Sequence, residues 1–266
     1  MAIRLIVNGA AGRMGRQVIA AASASPSFRI AGALVRSGSP SVGVDAGTLA
    51  GVQALGVAAT DDVAAVLAAG DVAVDFSTPE VAVAFTRRAS VVGKAVVVAT
   101  TGLSDEQLAA LRSCAEQSPV LFAPNLSLGI NVLAEILPAV VRALGAEYDI
   151  EIIEAHHRHK KDAPSGTAIR IAEAIASAIG KPWSEVERHG RWGLAPRQAG
   201  EVGMHSVRAG GIVGEHSVLF VSEGEQIEIN HRAFSRQTFA LGALRAAQFL
   251  GSQPKGYYSM QDVIRS

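Results

Sequence analysis

The chain has 266 residues, enough for one large or two smaller domains; 49% are hydrophobic, 18% charged and only 5% aromatic. Lys plus Arg and Asp plus Glu each number 24, and this zero net charge argues against a generally basic nucleic-acid binder. The apolar run at residues 5–7 is too short for a signal-peptide core, and we expect no later segment to span a bilayer. With Cys114 as the only cysteine, a disulfide framework and a multi-cysteine metal site are excluded, which favours a soluble, cytoplasmic protein.

A glycine-rich turn follows the first predicted strand. Residues 3–7 are apolar, residues 9–15 follow the spacing Gly-x-x-Gly-x-x-Gly, and residues 16–21 have a helical pattern. Glycine suits a tight turn that approaches a pyrophosphate, and the free N–H groups at the helix start bind phosphate. A purely structural turn is the alternative, but a strand before and a helix after favour a dinucleotide site. The predicted cofactor contacts are Gly9, Ala10, Ala11, Gly12, Arg13 and Met14.

The end of the second predicted strand, residues 28–35, bears on the choice of cofactor. Dinucleotide-binding folds place an acidic residue there to bind the ribose hydroxyls, whereas this chain has Val35 and Arg36. A guanidinium can bind the 2′-phosphate that a carboxylate would repel, and Arg13 is a second candidate cation. NADPH should therefore be accepted, and strict NADH specificity is disfavoured.

Strands and helices alternate through the rest of the first half. Apolar strands are predicted at residues 72–76, 95–99 and 120–123, with helices at 61–69, 79–92 and 104–117 and a mobile loop at 37–53. This alternation predicts a Rossmann-type, doubly wound parallel sheet, with ligands outside the carboxyl ends of its strands. Thr100, Thr101 and Asn125 fall at such ends, as do Ser77 and Thr78, for which helix capping is an equal explanation.

The second half has a different pattern. Residues 128–144 predict an apolar helix interrupted by Pro138, and a strand then ends at His156. Ser165 is the natural cap of a helix at residues 167–179. Strands at 202–209, 215–222 and 226–232, separated by glycine turns, predict an antiparallel meander, and a last helix follows at 235–250. His205, His216 and His231 are isolated on these strands, so structural roles are favoured for them.

The most distinctive stretch is residues 154–168, Glu-Ala-His-His-Arg-His-Lys-Lys-Asp-Ala-Pro-Ser-Gly-Thr-Ala. Three His, two Lys and one Arg fall within six positions. Such a charge run can be a solvated basic loop, or it can hold an anion and move a proton. Histidine is the natural general acid near neutral pH, and lysine together with a helix N-terminus suits carboxylates.

This stretch closely resembles the dihydrodipicolinate reductase (4-hydroxy-tetrahydrodipicolinate reductase) family, whose signature Glu-x-His-His-x-x-Lys-x-Asp-x-Pro-Ser-Gly-Thr-Ala is matched at every fixed position. The similarity spans the chain, with further matching segments at residues 9–15, 45–47, 75–77, 100–102, 124–127 and 208–210. It implies hydride transfer from NADPH or NADH to the cyclic dicarboxylate 4-hydroxy-tetrahydrodipicolinate, or its dehydrated form, in lysine and diaminopimelate biosynthesis. It also implies a homotetramer with no metal.

The resemblance assigns roles by matching motif positions. His156 would donate or accept a proton, and Lys160 would be a second proton donor. The substrate carboxylates would be held by His157, Lys160, Ser165, Gly166 and Thr167, and the cofactor would be lined by Ala99, Thr100, Thr101, Ala123, Pro124, Asn125 and Leu126. Two positions depart from the family: many members carry an acid where Val35 stands, and Leu126 is often Phe.

The implied organisation has two domains. Residues 1–127 would bind the dinucleotide, with residues 235–266 packing back on them, and residues 128–234 would form an α+β substrate-binding and oligomerisation domain on a mostly antiparallel sheet. One alternative is a dehydrogenase of the amino-acid or aspartate-semialdehyde type, although Cys114 lacks the histidine context of a thioester nucleophile. Another is a nucleotide-sensing regulator, which should lack a proton donor beside an anion site.

Overall fold

The computed structural model describes residues 1–266, which form two units. One unit comprises Met1–Leu128 and Arg236–Ser266, and the other comprises Gly129–Ser235. Each unit contains one β-sheet, a seven-stranded sheet in the first and a five-stranded sheet in the second. The predicted α/β class, with a Rossmann-type sheet and a second α+β domain, is confirmed.

The first unit alternates strands and helices from its start. Its elements are β1 (Ile3–Asn8), α1 (Arg13–Ser23), β2 (Phe28–Leu34), α2 (Ala46–Ala50), β3 (Ala59–Thr60), α3 (Val63–Ala69), β4 (Val72–Asp75), α4 (Pro79–Val91), β5 (Ala95–Val98), α5 (Asp105–Cys114) and β6 (Pro119–Phe122). The predicted loop at residues 37–53 is wrong in part, because it contains α2. Asp45 caps this helix by accepting the N–H groups of Gly47 and Thr48. Five residues are too few to show a helical period.

The second unit begins within a long helix and is built on strands of similar length. Its elements are α6 (Leu128–Leu144), a 3₁₀ turn (Gly145–Glu147), β7 (Asp149–His156), α7 (Gly166–Ile179), α8 (Trp183–Val186), β8 (Glu187–His189), β9 (Val202–Arg208), β10 (Glu215–Val221) and β11 (Gln226–Arg232). The chain then returns to the first unit with α9 (Gln237–Leu250), β12 (Gly256–Tyr258) and α10 (Met260–Arg265).

The first sheet is parallel throughout, with strand order β12-β6-β5-β4-β1-β2-β3. Strands β1, β4 and β5 lie side by side and are almost wholly buried, as expected for a sheet with helices on both faces. Helix α9 packs closely against the segment after β6, because a Cβ on Gly242 would lie 1.8 Å from the carbonyl oxygen of Leu126. Strand β12 and helix α10 were not predicted, since neither is long enough to show a period.

The second sheet is mixed, with strand order β11-β10-β7-β9-β8. Strand β10 is antiparallel to β11 and β7, whereas β9 is parallel to β7 and β8. The predicted meander is therefore wrong at one connection, because β7 lies between β9 and β10. Alternation along a strand predicts which side chains are buried but does not identify the neighbouring strand. The observed register places Arg208 opposite His156 and His216 opposite Glu154.

Helix α6 differs from the prediction in two respects. It continues through Pro138, which removes one backbone hydrogen bond without ending the helix. Together with the 3₁₀ turn it spans Leu128–Glu147 at a mean hydropathy of 1.6, so by length and composition alone it could cross a membrane, contrary to expectation. Core helices meet the same criterion. Ile130, Leu133 and Leu137 pack into the second unit's hydrophobic cluster, which accounts for part of its apolar character.

Candidate active site

A cavity of about 680 Å³ lies in the first unit, at the carboxyl ends of β1, β2 and β4. Four predicted cofactor residues line it: Gly9, Ala11, Gly12 and Arg36. Val35, Ser77 and Thr78, which the sequence placed at strand ends, also line it. The sequence did not single out other lining residues such as Asn8, Arg16, Ser39, Pro40, Ser41 and Asp61. Arg16 lies one helical turn after Arg13, and its Nε donates to the carbonyl of Ala11 at 2.9 Å. The cavity therefore has guanidinium groups from two separate elements.

The glycines of the turn after β1 are sterically required. Gly9 has a φ of +80°, and a Cβ there would lie 2.6 Å from the carbonyl oxygen of Phe76. A Cβ on Gly15 would lie 2.2 Å from the carbonyl oxygen of Gly9. The turn therefore packs against the segment after β4, and helix α1 packs against the turn. The first N–H groups of α1 have no partner within the helix, so this turn fits a dinucleotide pyrophosphate.

The other predicted cofactor residues do not line this cavity. Ala10 is buried and donates its N–H to the carbonyl of Leu34, Arg13 is exposed, and Met14 packs on the core of the unit. Ala99, Ala123 and Leu126 are buried at the ends of β5 and β6 or just beyond. Thr100 is also buried, Thr101 and Pro124 are exposed, and Asn125 accepts the N–H of Ser127 at 2.8 Å.

Asp75, which sequence reasoning passed over, joins three of these strand ends. Its fully buried carboxylate accepts hydrogen bonds from the side chains of Asn8, Ser77 and Thr100, which follow or end β1, β4 and β5. Burial raises the pKa of this carboxyl above its usual range, against the effect of these donors. The signal in the sequence was an acidic residue at the end of an otherwise apolar run, residues 72–76.

In the second unit, a buried carboxylate organises the end of β7. Glu154 is 0% exposed, and its Oε2 lies 2.6 Å from Nδ1 of His156. Arg208 donates a hydrogen bond to each carboxylate oxygen from a different guanidinium nitrogen, at 2.9 and 2.7 Å. The backbone N–H of Ser165 donates to Oε1 at 3.1 Å. This side chain thus connects the predicted proton donor, strand β9 and the start of α7.

These contacts settle the charge of the carboxylate. Burial alone would raise the pKa of Glu154, but hydrogen bonds from Arg208, His156 and Ser206 lower it to about 2. Burial also lowers the pKa of His156, and the neighbouring Glu154 opposes that shift. Glu154 is therefore an anion at neutral pH.

Ser165 caps helix α7 as predicted, because its Oγ accepts the N–H of Ala168 at 3.1 Å. The same oxygen lies 3.2 Å from Nε2 of His216. His216 is not the isolated strand residue that the sequence suggested, since its ring stacks edge-on against His156 with centroids 5.3 Å apart and lies 6.2 Å from that of His231. Burial and the neighbouring histidines lower the pKa of His216 to about 3, so its ring is neutral.

The remaining predicted substrate residues lie around this cluster. Lys160 donates to the carboxylate of Asp162 at 2.8 Å, and its backbone N–H bonds to the carbonyl of His157 at 3.0 Å. Nδ1 of His157 is buried without a hydrogen-bond partner. Gly166 is exposed and Thr167 partly buried at the first turn of α7. Arg158, His159 and Lys161 are exposed, so spacing within the charge run, rather than charge itself, marks the site.

The second unit therefore contains histidines, an ammonium group and a helix N-terminus within one polar cluster. The N–H groups at the start of α7 favour an anion, and the 14-residue helix adds its positive end. A histidine near neutral pH can transfer protons beside such an anion site. The cluster suits acid–base chemistry on a carboxylate-bearing molecule.

Comparison with known proteins matches the full chain. A family model described as "Dihydrodipicolinate reductase, N-terminus" covers residues 3–126, and one described as "Dihydrodipicolinate reductase, C-terminus" covers residues 129–264. The 4-hydroxy-tetrahydrodipicolinate reductase of Chromohalobacter salexigens is 50% identical over 265 residues and 98% of each chain. That of Rubrobacter xylanophilus is 49% identical over 269 residues and 99% of each chain.

A solved structure shares the fold. Dipicolinate-bound dihydrodipicolinate reductase from Paenisporosarcina sp. TG-14 superposes with a TM-score of 0.78 at 23% sequence identity. The match covers 99% of this chain and 100% of that one. The arrangement of strands and helices is therefore shared even where the sequences have diverged.

Proposed function

The chain belongs to the dihydrodipicolinate reductase family, and we propose that His156 and Lys160 carry the proton chemistry of the family's reaction. The protein is an NADPH- or NADH-dependent oxidoreductase that reduces 4-hydroxy-tetrahydrodipicolinate, or its dehydrated form, in lysine and diaminopimelate biosynthesis. The two rival interpretations, a dehydrogenase of the amino-acid or aspartate-semialdehyde type and a regulator without chemistry, are thereby set aside.

The cofactor supplies the hydride when bound. The first unit holds it, in our proposal, through the turn at Gly9 and Gly12, whose backbone and the following helix start accept the pyrophosphate. Arg36, which lines the same cavity, binds the 2′-phosphate of NADPH. The same proposal includes the other predicted cofactor contacts. In the turn after β1 these are Ala10, Ala11, Arg13 and Met14, and at the ends of β5 and β6 they are Ala99, Thr100, Thr101, Ala123, Pro124, Asn125 and Leu126.

The second unit holds the substrate. The start of α7, at Ser165, Gly166 and Thr167, receives one carboxylate at the positive end of the helix. His157, whose Nδ1 has no partner, and the ammonium of Lys160 provide further donors. Lys160 exchanges its contact with Asp162 for the substrate, because an exposed ion pair is worth only about 0–1 kcal/mol. The dipicolinate in the Paenisporosarcina structure is a ring dicarboxylate of the kind this site would take.

The proton step falls to His156. Hydride addition to an electrophilic ring carbon leaves the ring with an extra electron pair, which takes a proton from the protein. His156 donates it. Departure of the ring hydroxyl as water takes a second proton from Lys160, and the neighbouring ring C–H returns one proton to the protein, so the net reaction consumes one proton. The observation that carries this proposal is that one buried carboxylate, Glu154, accepts hydrogen bonds from both His156 and the first residue of the anion-binding helix end.

We also propose a cytoplasmic homotetramer that acts on a small-molecule dicarboxylate, without a nucleic-acid or membrane partner. The zero net charge supports the lack of a nucleic-acid partner. Assembly is supported by the outer face of the second sheet, where Ile153 and Val207 are 37% and 43% exposed on adjacent strands.

A coupled assay with freshly prepared substrate, following NADPH and NADH oxidation in parallel, tests the proton roles. His156→Gln and Lys160→Ala should each lower kcat by ~10²- to 10⁴-fold with unchanged circular dichroism. His189→Gln, at an exposed histidine on β8, is the matched control and should behave as wild type. Full activity in both site variants would overturn the assignment.

A further inference from the structure

We propose that Glu154 is a positioning residue that fixes His156 in a single tautomer and locks it to the substrate-binding start of α7. This inference deepens the proposed function and rests on it. Donors meet the carboxylate on both oxygens. Oε2 accepts from His156 and Arg208, and Oε1 accepts from Arg208 and the backbone of Ser165. A buried carboxylate whose two oxygens both accept hydrogen bonds is held in one orientation.

The chemistry of the contact decides the tautomer. An ionised carboxylate can only accept hydrogen bonds, so Nδ1 of His156 must carry a proton to lie 2.6 Å from Oε2. Nε2 is then the ring nitrogen that can gain or lose a proton. A Cβ on Gly214 would lie 3.2 Å from this nitrogen, so the glycine leaves space beside it. Nε2 of His156 is thus the ring nitrogen left free of the carboxylate, beside Gly214.

The charges around His156 show why the carboxylate matters. The groups that face it are Glu154 on the same strand, Arg208 on β9, His216 on β10 and Lys160 on the following loop. Only Glu154 is negative, and it opposes the lowering of the pKa of His156 by burial, Lys160 and Arg208. Without its charge, two cations face a half-buried imidazole, which should lose its proton at a lower pH.

The contact with Ser165 adds a second role. Glu154 precedes Ser165 by 11 residues, and its Oε1 holds the backbone N–H at the cap of α7. The same side chain therefore sets the position of the proton donor and of the helix end that binds the carboxylate.

The test compares Glu154→Gln with wild type by kcat, KM, the pH profile of kcat/KM and the ¹⁵N NMR tautomer of His156. The amide can place an N–H against Nδ1, which then becomes the acceptor and moves the proton to Nε2. We expect kcat to fall at least ~10-fold. The limb of the profile that reports loss of the His156 proton should move ~1 pH unit lower. Glu187→Gln, which breaks an exposed Glu–His pair of the same spacing, should change neither.

Two further variants, Glu154→Asp and Arg208→Gln, test the positioning role if Glu154→Gln folds poorly. Glu154→Asp keeps the charge and should retain the Nδ1–H tautomer and most of the pH position. Arg208→Gln removes a facing cation and should move the same limb to higher pH. An unmoved limb in folded Glu154→Gln or Arg208→Gln, or loss of the Nδ1–H tautomer in Glu154→Asp, would overturn the positioning role. Full activity of His156→Gln would instead overturn the proposed function, so the two failures are distinct.

Discussion

Oγ of Ser165 lies 3.2 Å from Nε2 of His216 while it also accepts the N–H of Ala168. Removal of this hydroxyl should therefore weaken both the helix cap and the substrate site. Ser165→Ala should lower the free energy of unfolding by about 1 kcal/mol in urea titration and raise KM. Ser104→Ala, which removes a similar cap from α5 in the first unit, is the control. It should cost similar stability with KM unchanged, and an unchanged KM in Ser165→Ala would contradict the substrate role.

Buried His216 should make the protein sensitive to acid. Its pKa is about 3 in the folded protein, against an ordinary value of 6.5. Between these values the unfolded chain binds a proton that the folded protein excludes, so stability falls as the pH is lowered, by about 1 kcal/mol per pH unit. Glu154, with its pKa lowered from 4.5 to about 2, acts in the same direction below pH 4.5.

Urea titrations from pH 7.5 to pH 4.5 measure this dependence. His216→Asn should have a flatter curve than wild type, whatever its absolute stability, because it lacks the excluded proton. Superimposable slopes for the two proteins would show that His216 does not govern the acid response.

Arg36 should discriminate between the two cofactors. Its loss removes a charged hydrogen bond to the 2′-phosphate, worth about 1.5–3 kcal/mol, while NADH has no phosphate there. Arg36→Ala should therefore weaken NADPH binding by ~10- to 100-fold and leave NADH binding near wild type, as measured by fluorescence titration. Arg29→Ala, at an exposed arginine on β2, the strand that precedes Arg36, is the control. Equal weakening of both cofactors would point to a general loss of structure.

The outer face of the second sheet should carry the subunit contacts. Ile153→Glu would bury a charge in the interface, and we expect light scattering to report a species smaller than the tetramer. Val91→Glu changes an exposed valine on α4 of the first unit and should leave the mass unchanged. A tetramer in both variants would place the interface elsewhere.

Local patterns predicted most of the first unit, because its buried strands and helices are long enough to show their periods. The glycine turn was found by spacing, and the Ser165 cap by its place before an apolar helix. Elements of two to five residues, such as α2 and β12, were missed since they show no period. The position of β7 between β9 and β10 also escaped prediction, because strand neighbours are chosen over long sequence separations.

Only part of the candidate site was predicted, again because some of its residues are far apart in sequence. His156, His157, Lys160 and Ser165 lie within one contiguous motif, so their spacing identified them. Arg208 and His216 reach the same cluster from other strands. The matching segment at residues 208–210 included Arg208 without giving it a role, and His216 was expected to be structural. Of the predicted cofactor residues, Gly9, Ala11, Gly12 and Arg36 share a cavity, whereas the roles of the other turn residues and of the β5 and β6 ends stay predictions.

The parallel pairing of β9 with β7 also bears on folding. Arg208 lies opposite His156 in this register, on the face where Glu154 is buried. A slip of one residue would turn Arg208 to the opposite face and leave a carboxylate in the interior without its counter-charge. An uncompensated buried charge costs about 3–5 kcal/mol, a large share of the stability of an ordinary domain. The Glu154–Arg208 pair beside His156 thus also disfavours misaligned strands, so that a wrong register is destabilised during folding, before any substrate is bound.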